Sequence, residues 1–375
     1  MRSIPLLFLA FCLGTAGAQA PKATPVDQAN ALLRQGIADQ QRGDMKAAIE
    51  DYRKALALNP QIPEARANLG AALAAVGDFD SAIAEDTQVL ATSPDKIEVR
   101  RNLALAYYKK GDWRNARAQF ETVYAARPGD LTTAMLLGYS EIKLQQPGDA
   151  VALLQPLEQG HESNMDFEYV LGFALILSGR ETDGLPRMEK MAKATQSPDA
   201  WLIAGTTRLR RREFHEARTD LEAALALNPN IPGLYTMVGQ ARDALGDTDA
   251  AMPAFEAALK QDPRDFYANL YLGTMRLKQR EMDSARPLLA LALQLQPSNP
   301  QARLQMAKLN AMSGKYAEAA ATLEELEKAD PNWIDPHIEL APIYYKLHRP
   351  QDGQRERDIV QQIEAKQQKA GPRPQ

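Results

Sequence analysis

Residues 55–60 read ALALNP, and residues 224–229 read ALALNP again. The first copy follows GDMKAAIEDYRK and the second follows REFHEARTDLEA. Both stretches place apolar residues near i, i+3, i+4 and i+7, which is the spacing of an amphipathic helix. Both end at a proline, which cannot continue a helix. The same helical ending therefore occurs twice, and the interval from Pro60 to Pro229 is one position short of five steps of about 34 residues.

The prolines at these endings belong to a longer series. Within two groups each proline follows the one before it by about 34 residues, a length typical of architectures that stack helix pairs. The groups are Pro60, Pro94 and Pro128, and then Pro229, Pro263, Pro297 and Pro331. The 375 residues are therefore expected to form one repeat array instead of several unrelated domains.

Two columns of small residues keep the same period, with a slip of one position between Gly184 and Gly205. The first column is Gly36, Gly70, Ala104, Gly138, Gly172, Gly205, Gly239, Gly273, Ala307 and Ala341. The second column is Ala48, Ala82, Ala116, Ala150, Gly184, Ala217, Ala251, Ala285, Ala319 and Gly353. Because large side chains do not fit where two helices cross closely, the columns predict the crossing point of each helix pair. Between the paired runs, glycines that suit a left-handed helix C-cap occur at 43, 77, 111, 179, 246 and 314.

With these residues the chain resembles the tetratricopeptide repeat family, whose signature is W-x2-L-G-x2-Y, A-x3-F and P, repeated at about 34 residues. The best matches are Leu103-Ala104, Tyr107, Ala116, Phe120 and Pro128, then Tyr235, Val238-Gly239, Ala251, Phe255 and Pro263, with Trp201 at the tryptophan position. The resemblance implies an all-α fold, a right-handed α-solenoid of about ten antiparallel helix pairs that form a superhelix. The predicted repeats are 29–62, 63–96, 97–130, 131–164, 165–197, 198–231, 232–265, 266–299, 300–333 and 334–367.

The middle and the end of the array depart from the pattern. Glu162 replaces the closing proline of the fourth repeat, and Gly184 replaces alanine in the fifth. Prolines 186, 253 and 287 share one column inside second helices, where a bend is expected. The last repeat ends in a polar helix that suits a solenoid cap. Residues 19–28 are predicted to be a linker, and residues 368–375 a disordered tail.

The first residues have the composition of a signal peptide. Arg2 precedes an apolar run from Ile4 to Leu13 and then small residues. Residues 1–18 are the predicted signal, cut after Ala18, while a cut after Ala20 would place Pro21 next to it. A lipidated Cys12 is the other interpretation, although Phe11 is bulky for such a site. Cleavage would leave no cysteine and no membrane-spanning segment, so we expect an exported protein that is periplasmic or secreted.

The same residues argue against catalysis and against nucleic acid. A net charge of −4 does not suit a phosphate-binding surface. No phosphate-binding loop or G-x-S-x-G motif occurs, and the four histidines show no metal-binding spacing. We therefore expect no enzyme, no metal site and no cofactor. The arginine run at 208, 210, 211 and 212 either holds an anion or complements the end of a helix.

The family resemblance implies that the first helices line a concave surface that binds peptides or partner proteins. Its inward column includes Leu105, Tyr139 and Phe173, and neighbouring inward positions extend it. The predicted groove residues are Leu105, Tyr108, Met135, Tyr139, Ile142, Tyr169, Phe173, Ile176 and Leu177. Such an aromatic and aliphatic patch marks either a contact site or the packing between helices.

The predicted function is a non-catalytic protein–protein interaction scaffold in the bacterial cell envelope. Its partner would be an extended peptide or a protein of unknown identity. Two alternatives are a self-associating array, which would make a homo-oligomer, and an accessory subunit of a separate envelope enzyme or of a secretion or assembly complex.

Overall fold

The computed structural model describes residues 24–370, and the predicted signal peptide at residues 1–18 lies outside them. The described residues form twenty α-helices, a 3-10 turn at Gln155–Leu157 and no β-strand. In chain order the helices are α1 (Pro25–Gln41), α2 (Met45–Leu58), α3 (Pro63–Ala75), α4 (Phe79–Thr92), α5 (Ile97–Lys110), α6 (Trp113–Ala126), α7 (Leu131–Lys143), α8 (Pro147–Leu154), α9 (Met165–Leu177), α10 (Glu181–Thr195), α11 (Pro198–Arg210), α12 (Phe214–Leu227), α13 (Leu234–Ala244), α14 (Thr248–Gln261), α15 (Phe266–Lys278), α16 (Met282–Leu295), α17 (Pro300–Met312), α18 (Tyr316–Ala329), α19 (Ile334–Lys346) and α20 (Pro350–Ala370). The predicted all-α solenoid of helix pairs is confirmed.

The helices belong to two compact bodies. The first ends at Leu157 and contains α1–α8, and the second begins at Glu158 and contains α9–α20. Within each body the two helices of a repeat pack against each other, and the second helix also packs against the first helix of the next repeat. The boundary between the two bodies comes directly after the short α8 and its 3-10 turn, within the repeat that lacks a closing proline.

The small columns lie where the paired helices cross, as predicted. A Cβ on Gly184 in α10 would stand 2.6 Å from the carbonyl oxygen of Gly172 in α9. In α1, a Cβ on Gly36 would stand 2.6 Å from the ring of Tyr52. Every member of both columns is buried. The helices therefore approach each other closely at these positions, and at Gly36, Gly138 and Gly239 a large side chain from the second helix fills the space above the glycine.

The ends of the helices follow the residues that predicted them. The α2 helix ends at Leu58, two residues before Pro60, and α12 ends at Leu227, two residues before Pro229. All six glycines between paired runs have positive φ, as Gly246 does at 79°. Second helices containing an internal proline, such as Pro253 in α14, continue past it.

A recurring hydrogen bond ties each of several repeats to the one before it, and we call this contact the proline joint. A side chain on a first helix reaches the carbonyl oxygen of the closing proline six residues earlier. The joints pair Arg66 with Pro60 (3.3 Å), Arg100 with Pro94 (2.8 Å), Asn269 with Pro263 (3.0 Å) and His337 with Pro331 (3.2 Å). Because proline ends the helix, its carbonyl has no helical partner, and the next repeat supplies one.

Two predicted boundaries are wrong. Residues 25–28 of the predicted linker are helical, because Thr24 and Asp27 form a capping box and Pro25 occupies the first helical position. Residues 368–370 of the predicted disordered tail belong to α20. No glycine or proline interrupts the sequence between Gly353 and Gly371, so nothing stops this helix earlier.

Candidate protein-binding site

The predicted groove residues come from three first helices. Those in the first body are Leu105 and Tyr108 on α5, with Met135, Tyr139 and Ile142 on α7. Those in the second body are Tyr169, Phe173, Ile176 and Leu177 on α9. The two groups thus belong to different bodies, and each forms a surface of its own.

Three aromatic rings meet in the first body. The rings of Tyr108 and Trp113 are 5.2 Å apart and nearly perpendicular. The Tyr139 ring lies 5.9 Å from Tyr108 and 6.1 Å from Trp113, between centroids. All three side chains are half-buried, so each ring packs on its neighbours and keeps part of its surface in solvent. Edge-to-face contacts of this kind fix the positions of the rings and leave a rigid apolar surface.

Helical spacing extends this surface along α5 and α7. Leu105 lies one turn before Tyr108, and Met135 lies one turn before Tyr139, and both are half-buried. We call the set Leu105, Tyr108, Trp113, Met135 and Tyr139 the aromatic face.

Cations lie at both ends of the aromatic face. Exposed Lys143, one turn after Tyr139, places its ammonium 5.1 Å from the centre of that ring. Half-buried Arg101, one turn before Leu105, has an Nε atom without a hydrogen-bond partner. The pKa of Asp130 is lowered mainly by a hydrogen bond from Thr133 and to a smaller degree by Arg101. The Asp130 carboxylate therefore offsets part of the charge of Arg101, and the face combines apolar surface with the positive charge of Lys143, which suits an acidic and aromatic ligand.

Ile142 does not belong to this face. Its side chain is only 3% exposed, so it is part of the core. Ile142 and Lys143 are adjacent in sequence, and their side chains point about 100° apart on a helix. The predicted inward position is therefore wrong for Ile142, whereas Lys143, which was not predicted, borders the face.

The α9 residues also separate into core and surface. Ile176 is 4% exposed and packs in the core, while Leu177 beside it is 46% exposed. The rings of Tyr169 and Phe173 are 6.1 Å apart and half-buried against the same core cluster. For Ile176 the structure thus supports packing, and for the other three it leaves accessible apolar surface.

Three of the four arginines in the run near the end of α11 form ion pairs with acidic residues. Arg208 contacts Glu189 and donates to Asp220 (2.5 Å), and Arg210 and Arg211 both reach Glu181. Burial raises the pKa of Asp220 to about 6, even though Arg208 opposes this shift. These ion pairs favour a structural role over an anion site.

Sequence reasoning missed two groups of residues. Trp113 starts a second helix, so the first-helix column did not include it, although its position beside the turn could have drawn attention to it. The other group is Glu327, His337 and Glu356, whose ligand atoms lie within 4.8 Å of one another on α18, α19 and α20. These three residues are far apart in the sequence and match no simple metal-binding motif, so only the packing of three helices reveals them.

No helix among residues 24–370 combines the length and the apolar character that crossing a bilayer requires. This finding concerns only the described part of the chain.

Three family models match the sequence. One, described as tetratricopeptide repeat, matches residues 236–303. A second, described as TPR repeat, matches residues 37–77. A third, described as tetratricopeptide repeat, matches residues 73–138 and 276–341. No curated protein sequence matches the chain.

Solved tetratricopeptide repeat structures have a similar fold. The C-terminal part of a TPR repeat-containing protein from Cytophaga hutchinsonii aligns with a TM-score of 0.51 at 20% identity, over 63% of this chain and 97% of its own. A tetratricopeptide repeat protein from Parabacteroides merdae aligns with a TM-score of 0.49 at 16% identity, over 71% and 99%. MamA aligns with a TM-score of 0.41 at 20% identity, over 45% and 92%. At these identities the similarity concerns the fold alone.

The family matches agree with the period, the helix pairs and the small columns. Together the matched ranges span more than half of the chain. Repeats of this family form protein-interaction scaffolds, and none of the three family matches indicates a catalytic family. The chain belongs to the tetratricopeptide repeat family.

Proposed function

We propose that the protein is a non-catalytic scaffold whose aromatic face binds an extended segment of a partner protein. The observation that carries this proposal is the cluster of Tyr108, Trp113 and Tyr139, whose rings are held rigidly and left partly exposed. Rigid aromatic surface that needs no reorganisation binds at a low entropic cost. The scaffold would supply position and assembly, and any chemistry would belong to its partners.

The chemistry of the face defines the ligand. Apolar or aromatic side chains of the segment would cover the rings, and an acidic residue beside them would meet Lys143. Covering a few half-buried side chains contributes about 2–5 kcal/mol. Association and ordering oppose this by several kcal/mol. We therefore expect weak affinity for a single segment, increased where a partner also contacts other surfaces.

A library of random linear peptides tests the proposal, because it samples many ligand chemistries at once. Wild-type protein should enrich peptides that combine aromatic and acidic residues. The variant Tyr139→Lys should weaken binding of the enriched peptides at least 10-fold, measured by fluorescence anisotropy. The matched control is Tyr267→Lys, which makes the same exchange at an exposed tyrosine on α15.

A second variant distinguishes loss of binding from loss of the fold. Lys143→Glu changes an exposed side chain, so the helices should stay intact by circular dichroism. It should reverse the preference for acidic peptides. If Tyr139→Lys and Lys143→Glu bind the enriched peptides as tightly as wild type, the aromatic face is not the binding site.

We further propose that the protein acts in the bacterial envelope or outside the cell. Residues 1–18 support this, since a short apolar run after Arg2 is followed by small residues. The mass of the protein recovered from cell fractions tests it. Export predicts a product that begins at Gln19 and is absent from the cytoplasmic fraction. A product that keeps residues 1–18 and stays in the cytoplasm would refute it.

A further inference from the structure

The last proline joint differs chemically from the others. At the first joint, Arg66 reaches the Pro60 carbonyl and also donates to Glu85 at 2.6 Å, nineteen residues later. His337 has the same two neighbours at the same offsets: its Nε2 lies 3.2 Å from the Pro331 carbonyl and its Nδ1 lies 2.7 Å from Glu356 Oε2. An arginine has donors enough for both acceptors, whereas a neutral imidazole has only one N–H.

On a neutral ring the single N–H can donate to only one of these two acceptors. We assign it to Nε2, which then donates to the Pro331 carbonyl, as in histidines that bind a metal through the other ring nitrogen. The lone pair of Nδ1 then faces the Glu356 carboxylate at 2.7 Å and the Glu327 carboxylate at 3.9 Å. His337 and Glu356 are 1% and 0% exposed, so bulk water does not separate them. Three acceptors therefore converge on one point where a positive species is required.

We propose that His337 Nδ1, Glu356 and Glu327 bind a divalent transition-metal ion, with Zn²⁺ as the best fit. One imidazole nitrogen and two carboxylate oxygens are ligands that Zn²⁺ accepts, whereas Mg²⁺ and Ca²⁺ prefer oxygen alone. Three protein ligands leave a fourth position for water, as in open zinc sites. The Nε2–H bond to a backbone carbonyl is the outer contact that metal-binding histidines usually make.

The distances suit such an ion after small movements of the side chains. Tetrahedral ligands about 2.0–2.2 Å from zinc lie about 3.4 Å from one another. The observed separations from Nδ1, 2.7 Å and 3.9 Å, bracket that value. The Glu327 side chain is 26% exposed, so it provides an entry path from solvent.

The charges around the site also call for a cation. Arg355 contacts the other oxygen of Glu356, Oε1, at 3.2 Å, and leaves Oε2 for the ion. The pKa of Glu327 is raised by burial and then by the negative charge of Glu356. A bound cation would relieve this repulsion and would join α18, α19 and α20, the helices that close the array.

A titration of metal-free protein tests the proposal. The full chain, without an affinity tag and treated with a chelator, should bind one Zn²⁺ per molecule by calorimetry. Its Tm should then rise by about 2–5 °C. Co²⁺ should give the visible absorption of a tetrahedral site. Glu327→Gln should reduce the Zn²⁺ affinity at least 100-fold, while Glu318→Gln, an exposed glutamate on the same α18 helix, should not.

A second variant separates the metal from a proton, which could also supply the positive charge. His337→Arg recreates the donor set of Arg66, so it should fold normally and lose the response to Zn²⁺. The proposal is overturned if wild-type protein binds no stoichiometric Zn²⁺, or if both His337→Arg and Glu327→Gln keep wild-type affinity. Stabilisation by acid alone, without Zn²⁺ binding, would likewise overturn it and assign the charge to a proton.

Discussion

The ring of Tyr52 in α2 packs directly against the backbone of Gly36 in α1, so that a Cβ on Gly36 would stand 2.6 Å from its Cε1 atom. This pair shows why the first repeat needs glycine inside a helix, where glycine is otherwise unfavourable. The small residue lets the two helices approach, and the tyrosine ring fills the space that remains.

Gly36→Ala should therefore destabilise the protein, although alanine is the better helix former. The added methyl group must push the Tyr52 ring aside, which costs about 1–3 kcal/mol. Gly148→Ala is the matched control, because this glycine lies in α8 with no heavy atom near the new Cβ. We expect the control to gain up to about 1 kcal/mol. Urea denaturation of both variants measures the difference, and equal midpoints would contradict the prediction.

Asp86 should make stability depend on pH. It is 1% exposed and occupies the α4 position where neighbouring repeats place Tyr52 and Phe120, and its Oδ1 has no hydrogen-bond partner. Burial, followed by the charge of Glu85, raises its pKa from 3.8 to about 7. The pKa of Asp86 is higher in the folded state than in the unfolded state. The protonated carboxyl therefore makes its full contribution to the free energy of unfolding below about pH 4. It is lost as the pH rises to about 7, and the loss reaches about 4 kcal/mol at most.

Asp86→Asn should abolish this pH dependence, because it has no proton to lose. Asp86→Leu should also raise stability at pH 8. Asp86 lies over Gly70, and at the equivalent crossing two repeats later Leu154 lies over Gly138, so a leucine fits over a glycine in this position. The measurement is the urea midpoint of each protein at pH 5 and pH 8. If the urea midpoint of the wild type falls no more between pH 5 and pH 8 than that of Asp86→Asn, Asp86 is not the source of the pH dependence.

Arg280→Gly should stabilise the second body. Arg280 occupies the position after a first helix where several repeats have glycine, and its φ is 64°. A side chain in this left-handed region costs about 1 kcal/mol, which glycine avoids. The reverse change, Gly246→Ala at φ 79°, should lose a similar amount. Thermal unfolding of the two variants should shift in opposite directions, and a shift in the same direction would refute the argument.

Arg187 should stabilise the fold through a buried carboxylate. Glu168 has a side chain only 3% exposed and accepts from Arg187 (2.6 Å) and Lys190 (2.7 Å). Arg187→Met should cost about 3 kcal/mol, because it leaves a buried charge poorly compensated. The double variant with Glu168→Gln should lose less than the sum of the single variants. Additive losses in a double-mutant cycle would show that the pair is not coupled.

The architecture could be predicted from the sequence because close contact between helices restricts which residue types can occupy the crossing points. Where α9 crosses α10 at Gly172 and Gly184, even the methyl group of alanine would clash, and every other position of the two columns is also glycine or alanine, so the period is visible in one chain. Closing prolines likewise mark helix ends, since proline cannot extend the helix. Both signals come from the backbone itself and tolerate few substitutions.

The binding surface was harder to predict because apolar residues serve both core and surface. Ile142 and Ile176 fit the inward stripe by spacing, yet each lies in the core, and the stripe on a helix is wide enough for either outcome. Trp113 joins the aromatic face from a second helix, which a first-helix pattern does not include. The His337 cluster depends on three helices at once, so it follows from packing and not from any local motif.

The proline joint bears on how such a chain can lengthen. Each joint takes a carbonyl from one repeat and a side chain from the next. A segment that begins just after one closing proline and ends at the following one therefore contains the side chain of the first joint and the carbonyl of the second. Duplicating or excising that segment would rebuild the same hydrogen bond at the new seam. Whole repeats can therefore be gained or lost during evolution at these positions without the need for a new set of contacts between neighbouring repeats.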